Sequence, residues 1–299
     1  MSGWFIEGGK PATMSTVLIS SLGLMGSSLA AALTKKGWRV YLHHRRPEVS
    51  AAAERLGYGI QVEQPQLVAK DCELVVVCTP VSAIGEWVRR FARELPQAVI
   101  TDVGSVKGSV CRDLADLAKV GRFVGSHPMA GSHQQGLAHA DPLLYRNRVT
   151  VVTPMPGTPE PALALVEQLW RAVDSRVLRM DPDAHDRAVA QVSHLPHILA
   201  GVVASGLSDT AAPVASIGFR DTTRVAGGNP ELWADILRHN RVAVLSELKG
   251  AAERASRFID ALERDDETAI RAWLAAARNG RRRFEKCSFV GGSNDDGGQ

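Results

Sequence analysis

The run Val17-Leu18-Ile19-Ser20 gives way at once to Ser21-Leu22-Gly23-Leu24-Met25-Gly26, and from Gly26 onward apolar residues recur at helical spacing. A strand that turns directly into a helix over small side chains leaves that helix's free N–H groups and positive dipole end open to an anion. In this context a glycine pattern of the GxGxxG type reads as the seat of a dinucleotide. Gly23 would let a pyrophosphate approach the backbone and Gly26 would allow close helix–strand packing, whereas Ser21 stands at the first glycine position. Ser21, Leu22, Gly23, Leu24, Met25 and Gly26 are therefore the expected cofactor loop, with an ordinary strand–helix turn of small residues as the alternative.

The alternation continues. Strand-like runs fall at 17–20, 40–42, 74–78, 99–101, 123–125, 150–152 and 177–178, and stretches of helical period at 26–36, 49–56, 81–94 and 107–118. Continuously apolar strands separated by helices predict a doubly wound parallel α/β sheet covered on both faces. Past residue 180 the strand signals stop, and Val189, Val192, Leu195, Leu199, Val202 and Val203 recur at three- and four-residue intervals. The expectation is a Rossmann-type domain over 14–180 and an all-helical, dimerising domain over 181–290, with loose ends at 1–13 and 291–299. Pro196 predicts a kink unless nearby polar groups compensate. Residues 231–262 read as one helix of more than 30 residues, long enough to pack across a subunit boundary.

A length of 299 residues fits two domains. Lys and Arg exceed Asp and Glu by 35 − 32 = 3, and no basic stretch is interleaved with aromatics, so nucleic acid is not an expected partner. The longest Val/Leu/Ala runs are broken by charges well short of 18 residues and the first 13 lack the pattern of a secretory leader, which predicts a cytoplasmic protein without a membrane span. The four cysteines, Cys72, Cys78, Cys111 and Cys287, form no CxxC pair and read as reduced structural thiols; no metal is expected.

At the end of the second strand, an NAD-preferring fold places an acid against the ribose 2′-hydroxyl. This chain has His43-His44-Arg45-Arg46. Guanidinium groups bind a 2′-phosphate bidentately where a carboxylate would repel it, so His44, Arg45 and Arg46 predict NADP, with NAD as the weaker cofactor. A solvated charged turn that tolerates either cofactor is the alternative. Thr79 and Pro80, after the strand at 74–78, complete the expected cofactor contacts.

Thr101-Asp102-Val103-Gly104-Ser105-Val106-Lys107 and Gly125-Ser126-His127-Pro128-Met129-Ala130-Gly131 both end strand-like runs, where open α/β sheets bind ligands. A histidine fixed there between Pro and Gly can take a proton from a substrate hydroxyl while hydride leaves for a nicotinamide. Taken alone, His127 reads equally well as a structural loop residue.

At this point the sequence resembles the prephenate/arogenate dehydrogenase family of tyrosine biosynthesis. The resemblance is carried by Gly23-Leu24-Met25-Gly26-Ser27-Ser28-Leu29-Ala30, Asp102-Val103-Gly104-Ser105-Val106-Lys107, His127-Pro128-Met129-Ala130-Gly131, His185-Asp186, Ser193-His194-Leu195-Pro196-His197, Gly218-Phe219-Arg220-Asp221-Thr222-Thr223-Arg224 and Asn229-Pro230-Glu231-Leu232-Trp233, in order over residues 17 to about 240. It implies a Rossmann-type domain followed by a helical domain through which two subunits pair. It further implies that His127 polarises the ring hydroxyl of a cyclohexadiene, that Ser105 bonds both this histidine and the hydroxyl, and that Arg224 grips a substrate carboxylate. His194 matches a substrate-site histidine, and Arg220 and Asp221 flank the carboxylate site, where a local ion pair is the favoured reading of Asp221. His197 is favoured as a packing residue. Trp233 either closes the pocket or anchors the long helix.

Three alternatives remain at this level. Arogenate competes with prephenate as substrate; the absence of an acid in Ser132-His133-Gln134-Gln135 favours prephenate, whereas the expected NADP preference and the run from Gly218 to Trp233 favour arogenate. β-Hydroxyacid dehydrogenases share the glycine loop but use a second-domain lysine, and no Lys occurs here between Lys119 and Lys249. A non-catalytic dinucleotide sensor would need only the loop.

Overall fold

The structure, a computed structural model, describes residues 15–131 and 134–289. The ends expected to be loose, the Ser132-His133 pair and the Cys287 side chain lie outside what it describes. Eight strands form two sheets. In the first, β1 (Thr16–Ser20), β2 (Arg39–His43), β3 (Ile60–Gln61), β4 (Leu74–Val77) and β5 (Val99–Asp102) pair in parallel in the order β3-β2-β1-β4-β5. Both β1 and β4 are buried along their whole length, as strands covered on two faces require. Between them run α1 (Leu24–Lys35), α2 (Pro47–Arg55) and α3 (Val81–Glu94), and α4 (Gly108–Asp113) and α5 (Ala115–Lys119) follow β5. This is the expected Rossmann-like sheet, and its strand order reverses between β1 and β4, where such sheets open a ligand crevice.

The second sheet departs from the all-parallel expectation. Here β6 (Gly125–Pro128) pairs antiparallel with β7 (Val149–Thr153), which pairs in parallel with β8 (Arg176–Arg179). Among the described residues no α-helix joins β6 to β7, whereas a parallel pair is usually joined by one. The strand expected at 123–125 is displaced: Phe123 makes one parallel bridge to Ile100, and the ladder proper begins at Gly125. A helix that the spacing had not singled out, α6 (Glu160–Ala172), joins β7 to β8 and buries Leu163, Val166, Leu169 and Trp170.

Beyond residue 180 the chain is helical: α7 (Pro182–Val189), α8 (Leu195–Ser205), α9 (Ile217–Thr223), α10 (Pro230–His239), α11 (Arg241–Glu263) and α12 (Glu267–Phe289). Between α7 and α8 the helix widens into a π-turn over Ala190–His194, directly before Pro196. A widened turn replaces the backbone bond that proline cannot make, so Pro196 is absorbed without ending the helix. This combined helix, Pro182–Ser205, is long and apolar enough to cross a membrane by length and composition. No Asp, Glu, Lys or Arg occurs over 188–208, so the expectation that charges break every apolar run fails here; Gln191, Ser193, His194 and His197 supply the polarity instead. The single long helix expected at 231–262 is two helices, parted at Asn240, whose buried amide is used elsewhere.

The chain forms two compact units, one up to Arg241 and one from Val242 onward. Within the first unit, Asp186 on α7 accepts backbone N–H bonds from Lys107 and Gly108, at 2.7 and 2.8 Å, which ties the start of the helical half to α4. In the second unit α11 and α12 form a hairpin in which the Phe258 and Trp273 rings meet at a tilt of 33°, centroids 4.4 Å apart, while Ile259, Leu262, Leu274 and Phe284 stay exposed.

Candidate active site

At the carboxyl ends of β1, β4 and β5 opens a cleft of about 890 Å³. One wall is the loop Gly23-Leu24-Met25-Gly26. A Cβ at Gly26 would lie 2.1 Å from the Ser21 carbonyl oxygen, so only glycine lets α1 start this close to β1, whereas Gly23 faces open space. Ser21 holds the backbone that the missing first glycine would adopt, at φ 72°. Left-handed backbone costs a non-glycine residue about 1–2 kcal/mol. Ser21→Gly is therefore expected to stabilise the fold by up to about 1 kcal/mol once the extra freedom of glycine in the unfolded chain is counted, read as a rise in the denaturation midpoint. Leu22 does not reach the cleft; it is buried in the core beside Leu29 and Val76.

Thr79 and Pro80 line the same cleft, and the buried Thr79 hydroxyl has no hydrogen-bond partner among the described residues. An orphaned hydroxyl, a glycine loop and an open helix N-terminus together fit a nucleotide cofactor. His44, Arg45 and Arg46 follow β2 outside the cleft wall. The His44 ring Nδ1 accepts the Arg46 N–H at 3.0 Å, which shapes this turn, and both guanidiniums reach solvent. His43 is instead a core residue, edge-on to Trp87 and Phe91, and burial lowers its pKa to about 4.

Ser105 and His127 line the same cleft. They are not bonded to each other. The His127 Nδ1 lies 2.8 Å from His185 Nε2, and His185 Nδ1 lies 2.9 Å from Asp186 Oδ1. Burial, then the charges of His185, Lys107 and His194, hold the His127 pKa well below the usual histidine range. Beneath them Lys107 is fully buried, its ammonium paired with the Asp102 carboxylate and bonded to the Ser126 carbonyl at 2.9 Å. That ties the end of β5 to the strand carrying His127.

His194 is buried behind the wall rather than on it; its Nδ1 meets the Asn240 amide nitrogen at 3.2 Å, and burial brings its pKa to about 4. Trp233 does line the cleft, with His197 stacked on it at 3.5 Å and His194 edge-on at 6.0 Å, so it both walls the site and anchors α10. Arg220 and Arg224 are exposed and off the cleft wall, and Asp221 pairs with Arg220 at 3.2 Å rather than with Arg224. Buried Cys72 and Cys111 have thiols pushed up to about 12 and about 11, and burial raises Cys78 as well, in keeping with inert structural thiols.

Four residues at this site carried no assigned role in the sequence reading. His185 and Asp186 appear in the resemblance only as a matching pair, because nothing local shows that α7 delivers them to His127. Asn240 lies within what reads as a continuous helix. Arg238 lines the cleft with no ion-pair partner among the described residues, yet on an amphipathic helix it reads as one more solvated charge.

Comparison with known proteins agrees with this geometry. Residues 29–179 match "Prephenate dehydrogenase, nucleotide-binding domain", and 181–276 match "Prephenate dehydrogenase, dimerization domain". The prephenate dehydrogenase of Bacillus subtilis is 32% identical over 278 residues, 88% of this chain and 74% of that protein. The crystal structure of a prephenate dehydrogenase from A. aeolicus, in complex with hydroxyphenyl propionate and NAD+, superposes with a TM-score of 0.80 at 30% identity, covering 92% of this chain and all of that one. An arogenate dehydrogenase from Synechocystis also superposes at 0.80, with 28% identity and coverage of 90% and 99%. The chain belongs to the prephenate dehydrogenase family.

Proposed function

We propose that the protein oxidises and decarboxylates prephenate to 4-hydroxyphenylpyruvate, with hydride transfer to NAD(P), as a step of tyrosine biosynthesis. The observation that carries this reading is that His127, backed by His185 and Asp186, lines one cleft together with the glycine loop. The ring nitrogen of His127 that His185 leaves free accepts the proton of the substrate's ring hydroxyl, while Ser105 beside it orients that hydroxyl. Hydride leaves the carbinol carbon, carbon dioxide leaves the opposite ring position, and the ring becomes aromatic, which drives the reaction forward. When bound, NAD(P) supplies the hydride acceptor; the amides of the glycine loop and the Thr79 hydroxyl are the groups that would hold it. Neither a β-hydroxyacid dehydrogenase nor a dinucleotide sensor accounts for the histidine pair and its carboxylate. Reduced cofactor formed with prephenate, and not without it, tests the assignment.

The cofactor is NADP in this reading, because Arg45 and Arg46 follow β2 and His44 stands where an acid would repel a 2′-phosphate, even though the Glu48 carboxylate lies 3.9 Å from the Arg46 guanidinium. The kcat/KM with NADP should exceed that with NAD by tenfold or more, about 1.4 kcal/mol. Arg46→Ala should close most of that gap, and a tenfold preference for NAD in the unaltered enzyme would contradict the assignment.

Arg224 is proposed to hold a substrate carboxylate, with Arg220 beside it. A charge-assisted contact present in ground and transition states is uniform binding, so Arg224→Ala should raise KM by roughly ten- to a hundredfold with a smaller fall in kcat. An unchanged KM with a lowered melting temperature would make Arg224 a loop-holding residue instead. The matched dimerization domain and the exposed apolar residues on α11 and α12 support a homodimer.

Arogenate is the second reading, and one observation favours it: the Glu231 carboxylate lines the cleft without a partner among the described residues, where it could pair with an ammonium. Steady-state kinetics with both substrates crossed with both cofactors decides between them.

A further inference from the structure

We infer that Asp186 and His185 are positioning residues that fix the proton of His127 on Nδ1 and so leave Nε2 as the base toward the substrate. The kinetic part of this inference rests on the proposed dehydrogenase reading; the proton assignment does not. An ionised carboxylate only accepts hydrogen bonds. Asp186 already accepts the Lys107 and Gly108 amides, which fix its orientation, and its Oδ1 is 2.9 Å from His185 Nδ1. The His185 proton therefore sits on Nδ1. A neutral imidazole carries one N–H, so His185 Nε2 is a lone pair. It lies 2.8 Å from His127 Nδ1, and two lone pairs at that separation repel, so His127 Nδ1 must donate.

The rest of the surroundings fits this order. Both rings are buried, and they meet edge to face at 75°. The Lys107 ammonium is held by Asp102, and the Asn240 amide nitrogen donates both to the Asp186 carbonyl and toward His194 Nδ1. The second contact gives His194 the opposite arrangement, with its proton on Nε2. A pair of histidines that merely filled the core would not need the carboxylate to be pinned by two backbone amides.

The test reads the protons directly. The full-length protein labelled with 15N-histidine is examined by multiple-bond 15N–1H spectroscopy near neutral pH without substrate, with His127 signals identified by their loss in His127→Asn. Protonated Nδ1 and bare Nε2 are expected for His127. Kinetics then compare His185→Leu, which removes the acceptor, with His185→Gln, which keeps a neutral one. His185→Leu should lose the single ring pattern and about 10²-fold in kcat with KM within about threefold, and His185→Gln should recover at least part of the loss. A proton on Nε2 of His127, protons on both nitrogens of His185, or wild-type kcat in a folded His185→Leu variant would overturn the inference. Because the ring pattern is read without turnover, a protein inactive on prephenate that still shows the Nδ1 proton would refute the dehydrogenase reading and uphold this one.

Discussion

Replacing His127 with asparagine is expected to lower kcat by ~10²-fold or more while leaving cofactor affinity nearly unchanged. A positioned general base contributes typically ~10²–10⁴-fold, and asparagine preserves volume and polarity but cannot take the proton. Cofactor affinity should hold because the loop at Gly23-Gly26, not His127, supplies the expected cofactor contacts. A variant with half of wild-type kcat would remove His127 from the mechanism. The sign of the pH dependence follows from its surroundings. Burial and the neighbouring His185 and Lys107 depress the His127 pKa, so the ring stays neutral, the form a base needs, down through pH 6.5. The acid limb of kcat/KM should therefore fall well below that pH, and a midpoint at or above it would contradict the burial described here.

The largest stability effect is expected at Lys107. Replacing it with methionine leaves the fully buried Asp102 carboxylate without its cation, retaining only the N–H bonds from Gly104 and Ser126 at 2.9 and 3.2 Å. Removing one partner of a buried pair typically costs ~3–5 kcal/mol, which lowers the melting temperature by roughly 10 °C in a protein of this size. The pair also joins β5 to the strand of His127, so the folded fraction should lose activity as well. Asp102→Asn combined with Lys107→Met should be less damaging than Lys107→Met alone, because the uncompensated charge is gone. Calorimetry on the two variants and the unaltered protein checks the order; a Lys107→Met protein with wild-type stability would show that the pair contributes little.

The sequence carried the parallel sheet and the cofactor loop because both are written locally: apolar runs set β1, β2, β4 and β5, and small residues set the turn into α1. It did not carry the antiparallel β6–β7 pair, since periodicity reports a strand but not its neighbour. The π-turn before Pro196 and the break at Asn240 were hidden for a related reason. The break at Asn240 goes with contacts made far along the chain, to Asp186 and His194, and the π-turn is the segment that carries His194 into that contact. His127 stood out through its loop, whereas His185 and Asp186 acquire meaning only when α7 packs against α4. Ser105 shares the cleft with His127 but makes no bond to it, and the histidine's Nδ1 is taken by His185, a partner that nothing local announces.

The central claim is that this cleft carries out an oxidative decarboxylation. It is tested most directly by incubating the purified protein with prephenate and NADP and measuring reduced cofactor and carbon dioxide in the same reaction. The account predicts that both form in equal amounts, together with the aromatic product, and that both vanish in parallel in His127→Asn. Reduced cofactor without carbon dioxide, or no turnover of either prephenate or arogenate with either cofactor, would contradict it.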